Sequence, residues 1–204
     1  MGPRTHLEFG EAHAVEDHLS GLTTCRDLAL FLTAIDTMLR CSDLLALRVR
    51  DVQSPDGQIK ARLQVGQKKT RRTVHPALSK RTRQALAAFI RLTKKRRSDF
   101  LFTAQRDPHG PAISAAYYRD LIKDWVTAIG LDPTNYSTHS LRRTKPVWMW
   151  RHGDRRQVTI TVLQLLLGHQ SPDSTVRYLG LDVLEAQDIA LDHDLFAART
   201  KPRR

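Results

Sequence analysis

Apolar positions along this chain recur first at helical spacing, then at strand spacing, then at helical spacing again. Residues 1–24 lack firm periodicity and read as an irregular lead-in. From Arg26 onward, Leu28, Phe31, Leu32, Ile35 and Leu39 fall on one stripe of a helix. A second apolar set, Leu44, Leu45, Leu47 and Val49, follows a break placed at residues 41–43, with Ser42 as its N-cap. After the turn Pro55-Asp56-Gly57, the stretch QIKARLQV (58–65) alternates strictly. Ile59, Ala61, Leu63 and Val65 point one way and Lys60, Arg62 and Gln64 the other, which predicts a half-buried strand. GQKKTRR then turns the chain and TVH returns it toward Pro76, giving a β-hairpin with a strongly basic tip.

Helical spacing resumes at Ser79, the predicted cap of a helix that runs to about Lys95 with Leu86, Phe89 and Ile90 inward. DFLF at 99–102 reads as a buried connector. Ser114 caps a helix whose core face is Tyr117, Leu121, Ile122, Trp125 and Ile129, and Gly130 stops it. Ser137 or Thr138 caps the helix carrying THSLRR, which Pro146 should end or kink. The apolar run 162–167 stops at Gly168, and helices over 172–179 and 181–192 follow, split at Gly180. The pattern predicts an α+β, mainly α domain: a helical bundle with a small β-hairpin or three-stranded sheet. It spans 25–195, between the lead-in 1–24 and a basic tail 196–204.

Composition adds a partner class. The 204 residues, 41% of them apolar, are enough for a real core. Lys and Arg number 33 against 21 Asp and Glu, a net charge of +12. Such an excess favours a polyanion, chiefly nucleic acid, because each neutralised phosphate releases counterions. A membrane surface is the weaker alternative, since no amphipathic helix pairs a wide apolar face with basic flanks. The cations placed to touch a DNA backbone are Lys68, Arg71, Arg72, Lys94, Lys95, Arg96, Arg97 and Arg143. Cys25 and Cys41 read as reduced thiols, and the other histidines (His75, His109, His152, His193) lack metal-ligand spacing. With no signal peptide, apolar span or myristoylation signal legible, a soluble cytoplasmic protein without metal is expected.

Candidate chemistry lies in separated pieces. LRCSDLLAL places Arg40 three residues before Asp43, and the hairpin tip offers Lys68 and Lys69. HSLR puts His139 and Arg142 on one helix face, and GHQSPDSTVRYLG sets Tyr178 nine residues after His169. Arg, Lys, His-x-x-Arg, His and Tyr in that order resemble the tyrosine recombinase, or phage integrase, family, over most of the chain from about Arg26 to Leu191. The resemblance implies a site-specific DNA recombinase acting on double-stranded DNA through a 3′-phosphotyrosyl link, with no cofactor, ATP or metal. It implies a homotetramer on paired sites, a monomer or weak dimer when free, an accessory DNA-bending protein as a candidate helper, and a place with the bacterial nucleoid.

In that reading Tyr178 is the nucleophile, and Arg40 and Arg142 hold non-bridging phosphate oxygens through planar forks. Lys69 protonates the leaving 5′-oxygen, with Lys68 the alternative. His139 assists proton transfer, His169 bonds a phosphate oxygen, and Asp43 orients His139 or Arg40 from behind. The chain departs from the family pattern between 146 and 162, where Pro146, Trp148, Trp150 and the β-branched VTITV interrupt a segment expected to be a smooth helix. That departure keeps open a catalytically impaired DNA-binding relic of the same family, and a type IB topoisomerase shares the chemistry.

Overall fold

Helix α2 (Cys25–Thr37) forms the spine of the molecule, and its composition shows why. Ala29, Leu30, Phe31 and Ala34 are buried, and Leu28, Leu32 and Ile35 are partly buried against the same core. The apolar band is therefore wider than the predicted stripe, and α2 is covered on several sides by its neighbours. Thr33 and Thr37 fit this buried helix because their hydroxyls donate back to the carbonyls of Ala29 and Thr33, each at 2.6 Å. The computed structural model describes residues 5–22, 25–154 and 156–180.

Around α2 pack α1 (Phe9–Ser20), α5 (Lys80–Thr93) and α7 (Thr138–His152), with α6 (Ala115–Ala128) against α1 and α7. The region 9–20 is thus a helix and not an irregular lead-in. Leu7, Val15 and Leu19 are at most 1% exposed, and a buried face carried by so few apolar residues is faint as a periodic signal. α2 stops at Met38, whose φ of 52° lies in the left-handed region. Arg40, not Ser42, is then the N-cap of the short α3 (Cys41–Leu44). After α4 (Val49–Val52) come β1 (Val65–Gly66) and β2 (Thr73–Val74), paired antiparallel with Val65 opposite Val74 and Gly66 opposite Thr73.

The sheet has two strands among the described residues, so the three-stranded form is not seen. The predicted strand 58–65 survives mainly as isolated bridges, Gln53 to Ile59 and Arg62 to Ala77. Leu63 and Val65 are buried as the alternation requires, but Ala61 is exposed. Ser79, Ser114 and Ser137 cap α5, α6 and α7 through their side chains. On α6 the buried tyrosine is Tyr118, at 1% exposure, while Tyr117 is 43% exposed. Leu121, Ile122 and Trp125 are buried as predicted, so only the first position of the inward face differs, and Val126 joins it ahead of the partly buried Ile129.

Pro146 neither ends nor replaces α7, which runs on to His152. Proline lacks the N–H that would reach the Arg142 carbonyl. The helix bridges this gap because both Pro146 and Val147 are buried, so packing holds the turn. Val147 joins Leu163 of α8 (Ile160–Leu167) and Leu179 of α9 (Pro172–Leu179) in a small second core, with Met149, Trp150, Val158 and Ile160 around it. The irregular 146–162 segment is therefore where α7, α8 and α9 are joined. Gly168 ends α8 at φ 63°, and a Cβ there would come within 2.7–2.8 Å of Gln67 and Val74, so only glycine fits both the turn and the close approach. The helix predicted over 181–192 and the tail 196–204 lie outside the described residues.

Candidate active site

An open cleft of about 530 Å³ is lined by Arg40, Cys41 and Ser42 from the start of α3, Lys68 and Lys69 from the hairpin tip, and Thr138, His139 and Arg142 from α7. Arg119 of α6, which no local pattern in the sequence marks, adds an exposed cation to the same cleft. Tyr178 and His169 stand beside the wall formed by Arg142. The Arg142 guanidinium lies 5.9 Å from the Tyr178 ring centroid, and the His169 ring meets the tyrosine edge-on at 5.1 Å. Residues from four separate segments thus line one basic hollow, and Tyr178 and His169 lie behind Arg142, outside its lining.

Each side chain is held for a local reason. Arg142, 3% exposed, donates to the Met38 carbonyl and, at 2.8 Å, to the Leu167 carbonyl. Both acceptors lie where a helix has just ended and leaves its last carbonyls unpaired, so one guanidinium closes two helix C-termini. Arg40, half-buried, donates through Nη1 to Gln67 Oε1 at 2.5 Å. His139 is exposed at the first turn of α7, three residues from Arg142 on the same face. His169 leaves the Gly168 turn, and its Nδ1 lies 3.1 Å from Thr175 Oγ1.

Asp43 differs from expectation. It is 3% exposed, and its Oδ1 accepts from the Lys68 backbone N–H at 3.1 Å, which ties the hairpin tip to α3. Its visible task is to place the lysine-bearing loop. One of the backbone-contact candidates also differs, and two others have further contacts inside the protein. Lys95 is buried at 8% exposure and donates to the Phe100 carbonyl (3.1 Å), Thr103 Oγ1 (2.8 Å) and the Pro108 carbonyl, so it closes a loop and cannot meet DNA. Arg143 lies 5.7 Å from the Tyr178 ring centroid, a second guanidinium on that ring. Arg72 is exposed but donates to the His169 carbonyl at 3.1 Å, a tie between hairpin and α8–α9 turn. Lys94, Arg96 and Arg97 are exposed at the end of α5, outside the cleft lining, and Arg97 donates to the Gln53 carbonyl at 3.1 Å. Arg71 is exposed at the hairpin turn with φ 55°.

The electrostatics divide the site into a charged and a neutral part. Tyr178 is half-buried with its hydroxyl shielded, beside Arg142 but without a hydrogen bond of full geometry among the described residues. Burial pushes the phenol up to about 12, against the pull of Arg142 and Arg143. His169 is pushed down to about 4, first by burial and then by Arg142 and Arg40, so it is a neutral imidazole at physiological pH. The unfolded chain takes up this proton near pH 6.5 and so binds more protons than the folded one between pH 6.5 and 4. The stabilisation from the neutral ring is complete above pH 6.5 and is lost as pH falls toward about 4. We expect the urea midpoint of the wild type to fall across that window more steeply than that of His169→Gln. Parallel slopes would refute the assignment to this ring.

Among the described residues no group of three or more His, Cys, Asp or Glu side chains is placed to hold a metal ion, and no helix is long and apolar enough to cross a membrane. Comparison with known proteins gives the context. The model of the phage integrase family matches residues 9–185. A probable integrase/recombinase of Bacillus subtilis (strain 168), YoeC, is 31% identical over 157 residues, which is 77% of this chain and 78% of that one. The crystal structure of XerA recombinase superposes at a TM-score of 0.73 with 20% identity, over all of this chain and 68% of that one. XerH site-specific recombinase, in a post-cleavage complex with its palindromic difH substrate, superposes at 0.71 with 18% identity, over 93% of this chain and 53% of that one. At these identities the two structures speak for the fold.

Proposed function

This chain belongs to the phage integrase family, the tyrosine-type site-specific recombinases, and on that premise we propose that it cuts and rejoins DNA strands with Tyr178 as nucleophile. The observation that carries the residue assignment is the convergence of Arg40, Lys68, Lys69, His139 and Arg142 on one cleft, with Tyr178 against Arg142. The substrate is double-stranded DNA, whose phosphates fit the basic hollow. Two exposed cations at the hairpin tip and Arg119 extend the positive field beyond the scissile phosphate.

The reaction balances without a cofactor. The Tyr178 oxygen attacks phosphorus, the bond from phosphorus to the 5′-oxygen breaks, and the free 5′-hydroxyl leaves behind a 3′-phosphotyrosine. A 5′-hydroxyl from another strand reverses the step and releases the tyrosine. Negative charge rises on the non-bridging oxygens during attack, and Arg40 and Arg142 supply fixed positive forks there, commonly the largest catalytic contribution. Because burial holds the phenol near 12, Tyr178 enters as a phenol and must lose its proton in the reaction, with His139 as the assigned acceptor. Lys69, with Lys68 as the alternative, gives a proton to the 5′-oxygen. His169 acts as a neutral hydrogen-bonding group beside the ring. Synapsis of two duplexes by four copies completes the exchange in this reading.

The impaired-relic reading draws no support from the 146–162 segment, which packs as the joint of α7, α8 and α9. The test is covalent capture. The chain is incubated with nicked suicide duplexes carrying its own recombination site, and the adduct is digested and its peptides mapped. We expect phosphotyrosine on the peptide containing Tyr178. Tight, site-specific binding with no adduct would overturn the enzymatic reading.

A further inference from the structure

One buried side chain that the recombinase reading does not use ties Arg40 to the hairpin turn and to the end of α8. Gln67 lies at the base of the hairpin turn and is 2% exposed. Its backbone closes the turn, with its N–H donating to the Arg72 carbonyl at 2.8 Å and its carbonyl accepting from the Arg71 N–H at 3.0 Å. Its Oε1 accepts from Arg40 Nη1 at 2.5 Å and from Thr70 Oγ1 at 2.8 Å. Its Nε2 donates to the Leu167 carbonyl at 3.1 Å. The amide could not be turned over: its N–H groups would then face the Arg40 guanidinium and its oxygen the Leu167 carbonyl, repulsive on both sides.

The Leu167 carbonyl is the shared node. It accepts from Gln67 and also from Arg142 Nη2, and it ends the helix after which Gly168 and His169 follow. A continuous chain therefore runs from Arg40 through the Gln67 amide and the Leu167 carbonyl to Arg142. Three features fit a connector of this kind. Both acceptor positions of the amide oxygen are filled, which leaves no tolerance for a shift of Arg40. Residue 168 must be glycine for the amide to approach, since a Cβ there would sit 2.7 Å from Gln67 Oε1. Gln67 also immediately precedes Lys68 and Lys69, so the hairpin that carries the lysines is anchored to the same node.

We propose that Gln67 is a positioning residue: its side-chain amide sets the separation and orientation of the Arg40 and Arg142 guanidiniums that receive the scissile phosphate. This rests on the recombinase reading above. One Arg40 nitrogen is held by the amide, leaving the rest of the fork to face the cleft. A misplacement of about 1 Å in such a group costs on the order of a hundredfold in rate.

The test is single-turnover adduct formation at saturating suicide duplex by the full chain and by Gln67→Met, which keeps the volume but removes both polar contacts. We expect the rate to fall by roughly ten- to a hundredfold while duplex affinity is retained. A second substrate separates the routes. With sulfur in place of the bridging 5′-oxygen, the leaving group needs no proton donor, so a Lys69→Ala defect should recover. The Gln67→Met defect should persist, because it acts through the arginines. A Gln67→Met rate close to wild type overturns the proposal, and so does full recovery on the sulfur substrate, which would assign Gln67 to the lysines. Gln67→Asn keeps the amide but withdraws it from both partners, and it serves for the same measurements should the methionine variant fail to fold. Adduct from the wild-type chain verifies the underlying reading separately, so a failure of the Gln67 assignment is distinguishable from a failure of the recombinase assignment.

Discussion

Tyr178→Phe is expected to abolish the covalent adduct entirely and yet to melt no lower than the wild type. The hydroxyl oxygen is shielded, with the Arg142 guanidinium beside it but no hydrogen bond of full geometry among the described residues. A buried hydroxyl without a partner costs about 1–3 kcal/mol, so its removal relieves the folded state. The ring keeps its other contacts, edge-on to His169 at 5.1 Å and between Arg142 and Arg143 at 5.9 and 5.7 Å. For a chain of this size each kcal/mol moves the melting temperature by about 2–4 °C, so an unchanged or slightly raised midpoint is the signature. Calorimetry beside an adduct gel checks both halves. A strongly destabilised phenylalanine variant would mean that the hydroxyl is bonded after all, and undiminished adduct would place the nucleophile elsewhere.

The second large effect belongs to Arg142→Lys. Lysine keeps the charge but offers a single ammonium where the guanidinium reaches two carbonyls, Met38 and Leu167, and faces the cleft. At least one buried carbonyl loses its partner, at a cost of about 1–3 kcal/mol. The fork for the phosphate is also lost, and removal of one such donor typically costs about 10²–10³ in rate. We therefore expect single-turnover cleavage to drop by roughly that factor, with a lower denaturation midpoint. Cleavage within tenfold of wild type would show that Arg142 is a structural cap only.

The helices after α1 and the ordered residues that carry the family resemblance were legible in the sequence because each rests on local signals. Ser79, Ser114 and Ser137 announce their helices, and Gly168 and Gly180 end theirs at positive φ. What stayed hidden depends on tertiary context. α1 buries Leu7, Val15 and Leu19 against residues distant in sequence, and α7 carries Pro146 because its flanks are packed. Lys95 sits in a run of four cations and is indistinguishable from its neighbours by composition, yet three acceptors enclose it. Gln67 and Arg119 carried no signal at all. A glutamine in a basic turn becomes informative only when Arg40 and Leu167, 27 and 100 residues away, are seen to meet it. Asp43 was expected to orient His139 or Arg40, and the bond seen is to the lysine loop.

The N-terminal helix has a mechanical consequence. The Leu7 N–H donates to Thr144 Oγ1 at 3.1 Å, a buried bond, and Phe9 stacks on Trp148 with centroids 6.2 Å apart. Tyr136, just ahead of α7, donates to Glu11 at 3.3 Å. The start of α1 and the residues just before it therefore brace the helix that presents His139 and Arg142, though none of them lines the cleft. Deleting residues 5–20 should lower melting temperature and cleavage rate together, and any domain or tag joined upstream leans on a short lever whose other arm is the arginine helix.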